Sequence, residues 1–274
     1  MALVLDGPLL LAGAGKMGGA LLEGLIARGL APEAIRVQDP APPADVATFL
    51  ARHGIRTEPQ ITSLDRPPSF ILAAVKPQVM DQVFAPLARL AGPDTVVLSI
   101  AAGRTLESFE KFLAPGTAVV RAMPNTPAQV GRGVTACVAN AATTEAQKAT
   151  TTDLLSAVGE VVWLDREDDM DAVTAVSGSG PAYVFLVAEC LAEAGRAAGL
   201  SSEVAAELAR ATVAGAGELL HRSDLDAATL RSNVTSPGGT TAAALAVLMA
   251  KPGLQEMLTE AVAAAVRRSR ELSR

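Results

Sequence analysis

Pro8-Leu9-Leu10-Leu11-Ala12-Gly13-Ala14-Gly15-Lys16-Met17-Gly18 is the stretch whose reading decides how this chain folds. Pro8–Ala12 is a short, uninterrupted apolar run, the signature of a strand covered on both faces. A helical pattern, Met17–Arg28, follows and is closed by Gly29, where a left-handed residue ends a helix well. Between them stands G-x-G-x-x-G in the context it needs: strand, tight turn, helix. Gly13 permits the turn, Gly15 lets backbone approach a pyrophosphate, and Gly18 lets the helix pack close to the sheet. The loop Gly13, Ala14, Gly15, Lys16, Met17 and Gly18 is therefore expected to hold a dinucleotide, the alternative being a plain glycine-rich turn.

The pattern repeats outward from this unit. Apolar runs at Ala34–Gln38, Ser69–Val75, Thr95–Ile100, Thr117–Arg121, Val134–Val138 and Glu160–Trp163 alternate with helical patterns at Ala44–His53, Val79–Leu90, Thr105–Phe112 and Glu145–Ala157. Strands apolar throughout and separated by helices predict a mostly parallel sheet covered on both sides. The second run ends at Asp39, close to the spacing at which an acid meets the adenosine ribose. An acid there favours a 2′-hydroxyl, whereas a 2′-phosphate favours Arg or Lys; the other reading is that Asp39, followed by Pro40, only starts a turn. The third run ends in Lys76-Pro77-Gln78, at the carboxyl edge where such sheets bind ligands, so Lys76 can face phosphate or the amide end of a cofactor. Ser99-Ile100-Ala101-Ala102-Gly103 closes the next run with small residues that leave room for a nicotinamide.

After the acidic patch Asp165-Arg166-Glu167-Asp168-Asp169 only helical periodicity remains: Met170–Val176, Pro181–Ala198, Ser202–His221, Ala242–Ala250 and Leu254–Leu272. The composition shift divides the chain into an α/β module, 1–165, and an all-helical module, 166–274. These later helices are apolar on more than one face, which predicts burial against a second subunit. Net charge is −6 with no long basic run, which disfavours nucleic acid and anionic membranes. Cys137 and Cys190 are far apart, so neither a disulfide framework nor a zinc site is expected. The N-terminus lacks a signal-peptide pattern, and no run of about 18 residues is free of both charge and helix breakers, so a cytoplasmic, membrane-free protein is expected. Arg267-Arg268-Ser269-Arg270 reads as a solvated last helical turn, and His53 and His221 as solvated helix ends.

A second glycine-rich helix start is Val234-Thr235-Ser236-Pro237-Gly238-Gly239-Thr240-Thr241. The mouth of a helix offers unpaired N–H groups and partial positive charge, so it suits an anion. Ser236, Thr240 and Thr241 add hydroxyls there. A turn followed by an ordinary cap is the equally open alternative.

Together these residues resemble the pyrroline-5-carboxylate reductase family over nearly the whole chain. The resemblance rests on Gly13–Gly18, Ala74-Val75-Lys76-Pro77-Gln78, Arg121-Ala122-Met123-Pro124-Asn125-Thr126-Pro127, Ser177-Gly178-Ser179-Gly180-Pro181-Ala182-Tyr183, and Asn233 to Thr241. It implies an α/β Rossmann-type dinucleotide-binding domain followed by an all-α dimerisation domain, an interlocked homodimer that can assemble into a decamer, and reduction of 1-pyrroline-5-carboxylate to L-proline by NADPH or NADH. It also implies that Ala74, Val75, Lys76, Pro77 and Ala102 line the cofactor with Asn233 nearby. Ser236, Gly239, Thr240 and Thr241 then hold the substrate, with Glu167 a further substrate-side candidate. Members that prefer NADPH often carry a basic or hydroxyl residue after the second strand; Asp39-Pro40 departs from that.

On this reading the helix-mouth N–H groups of Gly239, Thr240 and Thr241 grip the substrate carboxylate, and the Thr241 hydroxyl meets the ring nitrogen. Asn125 reads as either a functional or a structural loop residue, and the Ser177–Pro181 stretch as a packing element. A β-hydroxyacid dehydrogenase is the rival enzyme, but it resembles a family that uses a lysine on a helix of the second module. Beyond residue 165 the only lysine is Lys251, beside Pro252. A non-catalytic dinucleotide sensor is the rival of another class.

Overall fold

The computed structural model describes residues 3–272. One eight-stranded sheet holds β1 Leu9–Ala12, β2 Ile35–Gln38, β3 Thr57–Glu58, β4 Phe70–Ala73, β5 Val96–Ser99, β6 Ala118–Met123, β7 Gly133–Ala139 and β8 Gly159–Trp163 in the order β3-β2-β1-β4-β5-β6-β7-β8. Every pairing is parallel except β6 with β7. The exception has a simple cause. Residues 124–132 are too few for a crossover helix, so the chain must turn back on itself.

Both faces of the sheet are covered, and β1 shows how. Leu9 and Leu11 point into one core with α1 (Lys16–Ala27), α2 (Ala44–Arg52) and, across the sheet, α5 (Glu145–Leu155). Leu10 and Ala12 point into the other, against α3 (Met80–Ala88) and α4 (Leu106–Glu110). Side chains alternate across a strand, so all four residues of β1 are buried. Phe84 and Phe109 meet edge to face at 5.0 Å in the second core. A reciprocal cap, Thr144 with Gln147, starts α5 and so fixes the parallel crossover from β7 to β8.

The sequence reading misses β3, which is two exposed residues with no apolar pattern. The helical region contains α6 (Met170–Val173), a π-helical turn Thr174–Gly178, α7 (Gly180–Ala197), α8 (Ser202–Arg222), α9 (Ala227–Asn233), α10 (Thr240–Leu248) and α11 (Leu254–Leu272). The short, polar α9 is a second miss; its N-cap, Asp226, accepts from the Thr229 N–H at 2.7 Å. That bond holds the Asp226 carboxyl below its ordinary range.

The chain separates into two compact units, one of residues up to 178 together with 268 onward, the other Ser179–Arg267. In the second unit, α7 and α8 pack on each other, yet among the described residues Ala205 and Ala209 are its only buried hydrophobic ones. Val184, Phe185, Leu186 and Val187 are consecutive and all exposed. Successive helical residues point about 100° apart, so α7 is uncovered around most of its circumference. By length and composition alone residues 167–197 are apolar enough to cross a membrane; the π-helical turn Thr174–Gly178 divides them between α6 and α7. The end of α11 is not merely solvated: Ser269 donates to Asp171 at 2.6 Å and Arg270 lies 3.4 Å from the same carboxylate.

Candidate active site: a dinucleotide loop and a helix-mouth cradle

In the first unit, β1 delivers the chain into the glycine loop at the carboxyl edge of the sheet. Gly13 sits at φ +92°, a conformation open to glycine, and donates its N–H to the Gln38 carbonyl at 2.9 Å. A Cβ on Gly18 would overlap the Gly13 carbonyl oxygen, which ties the loop to the first turn of α1. Gly15 differs from both. Its backbone is extended, with φ −70° and ψ −170°, and a Cβ there would meet nothing within 4 Å. That open ground lies at the N-terminus of α1, which has no side-chain cap and no acid in its first turn. Unpaired N–H groups facing empty space beside a residue without a Cβ are what a pyrophosphate requires, so the loop fits a dinucleotide.

Asp39, at the end of β2, settles against this loop. Its Oδ2 accepts from the Ala14 N–H at 2.7 Å and its Oδ1 from the Ala41 N–H at 2.9 Å. The turn reading of Asp39 is thus seen at Ala41, while its other oxygen holds the loop at Ala14. The neighbouring strand ends converge here because β1, β4 and β5 are parallel and in register, with Ala12 opposite Ala73 and Ala73 opposite Ser99. Ala74 donates to the Ala12 carbonyl at 2.8 Å. Val75, Lys76 and Pro77 follow, with Lys76 exposed and without an ion pair among the described residues. Ser99 Oγ accepts from Ala101 at 3.2 Å and leaves Ala102 exposed at the same edge. Strand order reverses between β1 and β4, the usual place for a ligand crevice.

Farther along the edge lies an ion pair that no local pattern announces. Arg121, nearly buried on β6, donates to Glu167 Oε1 at 2.8 Å, and the same oxygen accepts from the Leu106 N–H at 2.9 Å. Glu167 thus ties β6 and the start of α4 together. Asn125 bridges two of the quoted motifs: Oδ1 accepts from Val134 N–H at 2.9 Å, and Nδ2 donates to the Ser177 carbonyl at 3.3 Å. Ser177 lies in the π-helical turn, with its hydroxyl buried and unpaired, and Gly178 packs against the Met123 side chain. His53 is half-buried at the end of α2, its ring tilted at 44° to that of Phe49 with centroids 4.4 Å apart. Cys137 is sealed in the first core, and burial pushes its thiol up to about 12.

The second unit carries the cradle. Gly238 turns the chain at φ +68°, and Gly239 caps α10 in an extended conformation without a side-chain hydrogen bond. α10 starts at Thr240, two residues before the sequence pattern placed it, so Thr240 and Thr241 are its first helical residues. The Gly239 N–H donates to the Ser236 carbonyl at 3.0 Å, which removes it from the set of free donors expected to grip an anion. The unpaired helix-mouth donors are those of Thr240, Thr241 and Ala242, and Gly239 contributes closeness instead. The hydroxyls of Ser236, Thr240 and Thr241 make no hydrogen bond among the described residues, and Thr241 is half-buried. Asn233 ends α9, just before the turn. Lys251 is exposed in the loop between α10 and α11, so the helix lysine of the rival dehydrogenase is missing here too.

A Rossmann-type sheet with an open glycine loop, followed by a helical unit, defines a dinucleotide-dependent oxidoreductase. Comparison with known proteins narrows the class. Residues 167–272 match the family described as pyrroline-5-carboxylate reductase dimerisation, and residues 9–103 that of the coenzyme F420-dependent NADP oxidoreductases. The chain is 45% identical over 264 residues to pyrroline-5-carboxylate reductase of Synechocystis, covering 96% of this chain and 97% of that one. It is 40% identical over 263 residues to the Pseudomonas aeruginosa enzyme, with 95% of each covered. The solved pyrroline-5-carboxylate reductase of Coxiella burnetii superposes with a TM-score of 0.91 at 36% identity, over 98% of this chain and 100% of the other. The Plasmodium falciparum pyrroline carboxylate reductase, solved with NADP bound, does so at 0.79 and 29% identity, over 98% of this chain and 99% of the other. The chain belongs to the pyrroline-5-carboxylate reductase family.

Proposed function

We propose a residue-level course for the reaction this chain catalyses, reduction of 1-pyrroline-5-carboxylate to L-proline with NAD(P)H. When bound, the nicotinamide supplies a hydride to the imine carbon. Gly13–Gly18 hold the pyrophosphate, Asp39 faces the adenosine ribose, and Ala74, Val75, Lys76, Pro77 and Ala102 line the cofactor with Asn233 beside it. The Thr240, Thr241 and Ala242 N–H groups and the Ser236 hydroxyl take the substrate carboxylate. The Thr241 hydroxyl hydrogen-bonds the ring nitrogen, which is basic and arrives protonated or draws its proton through Thr241 from water. These contacts fix the ring in near-attack geometry. Glu167 acts as a positioning residue through Arg121 and α4, because its Oε1 is already shared by two donors.

The observation that carries this division is the pair of independent anion-suited helix starts, each with a glycine where a ligand would approach. The loop on α1 suits the cofactor's pyrophosphate, and the mouth of α10 is left for the substrate's carboxylate. The same proposal takes 1–165 and 166–274 as the functional modules, with homodimers assembling further to a decamer. It places the enzyme in the cytoplasm, without nucleic-acid or membrane partners. The test is initial-rate reduction of pyrroline-5-carboxylate by wild type and Thr241→Val. Loss of one transition-state hydrogen bond is worth about 2–3 kcal/mol. Turnover should therefore fall roughly 30- to 150-fold with cofactor binding unchanged; undiminished turnover would remove Thr241 from the mechanism.

A further inference from the structure

We propose that the ground after β2 makes this chain an NADH-preferring enzyme, with Asp39 as the specificity-determining residue. The inference rests on the dinucleotide reading of the Gly13–Gly18 loop. Asp39 is not a free carboxylate that can swing aside. Both its oxygens are held by backbone N–H groups, Ala14 at 2.7 Å and Ala41 at 2.9 Å. A carboxylate has about four lone-pair sites, so each oxygen keeps one to accept from a ribose hydroxyl.

A 2′-phosphate at the same place would meet a fixed negative charge, and the segment after β2 offers no cation to offset it. From Gln38 to Ala51 the chain has no lysine, arginine or histidine. Arg36, the nearest preceding cation in sequence, turns its guanidinium to the Glu33 and Ile35 carbonyls at 2.8 and 3.0 Å. Backbone donors fail as well. Pro40, Pro42 and Pro43 have no N–H, and that of Ala41 is already given to Asp39. The start of α2 would ordinarily attract an anion, but Asp45 stands in its first turn. Glu58 on β3, in register with Gln38, adds another acid beside the end of β2. Hydroxyl recognition is thus provided for, and phosphate recognition is opposed by charge and starved of donors.

The test is calorimetric titration of the purified protein, without substrate, with NADH and with NADPH at low ionic strength. Binding of NADH at least tenfold tighter is expected. Asp39→Asn keeps a side-chain carbonyl oxygen for Ala14 but removes the charge. It should close most of that gap by weakening NADH and strengthening NADPH. Adding Ala41→Arg to Asp39→Asn should turn the preference toward NADPH. Thermal melting of each variant shows whether the loop is intact, and Ala41→Arg alone covers the case in which Asp39→Asn fails to fold. Equal or tighter NADPH binding by wild type would overturn the proposal, as would an unchanged ratio in folded Asp39→Asn. Turnover of pyrroline-5-carboxylate with NADPH as the better donor would overturn the preference and leave the enzyme assignment intact.

Discussion

Replacing Gly15 by alanine separates what the loop does for the ligand from what it does for the fold. The backbone at Gly15 has φ −70° and ψ −170°, which alanine adopts without strain, and the new Cβ would touch nothing within 4 Å. Removing a glycine restricts the unfolded chain, worth about 0.4–1 kcal/mol, and alanine is the poorer N-cap for α1, which offsets a similar amount. Gly15→Ala should therefore melt close to the wild-type temperature. Cofactor binding should behave oppositely. A phosphate oxygen accepting from backbone N–H sits about 2.9 Å from nitrogen. Carbon and oxygen need about 3.5 Å, so a methyl group in that space pushes the pyrophosphate away. Losing one charge-assisted hydrogen bond costs about 1.5–3 kcal/mol, a roughly 10- to 150-fold weaker Kd. Gly18→Ala is the complementary case, since its Cβ would overlap the Gly13 carbonyl and destabilise the protein by about 1–3 kcal/mol. Cofactor titration followed by fluorescence, together with urea unfolding, reads both quantities. Gly15→Ala that folds normally and binds the cofactor as wild type does would refute the assignment of this loop.

Glu167→Gln keeps an oxygen for Leu106 but leaves the nearly buried Arg121 without its counter-charge; a stability loss of about 1–3 kcal/mol is expected in urea unfolding, discounted because Glu167 is 28% exposed. A raised KM at unchanged stability would instead make Glu167 a substrate ligand. The Cys137 thiol, raised from 9.0 to about 12 by burial, should resist alkylation at pH 8 in the native protein and react after unfolding, as peptide mapping would show. Because the folded form holds the proton more tightly, this thiol's contribution to stability is complete below pH 9 and is lost as pH rises from 9 toward 12; stability flat across that range would contradict its burial. Light scattering should give at least twice the 27.9 kDa chain mass, and a monomer at micromolar concentration would leave the exposed face of α7 unexplained.

Periodicity and glycine placement by themselves determined the α/β module, the helical region after it and the two glycine-rich helix starts at Gly13–Gly18 and Ser236–Thr241. Each of these rests on neighbours within a few residues: an apolar run in a strand, a closing glycine after a helix, or a missing Cβ at a helix start. The two-residue β3 and the short α9 escaped because neither has enough length to show a period. What only the tertiary structure decided are the pairings between distant residues. Asp39 reaches Ala14, Arg121 reaches Glu167, and Asn125 joins Val134 to Ser177. Such pairings depend on which side chain faces which leftover donor once the sheet has formed, and no local pattern encodes that. The same holds for Gly239, whose N–H looked available in sequence and is consumed by the turn that positions it. The chain's own letters thus mark two helix starts suited to anions; the folded backbone says which N–H groups remain unpaired at them.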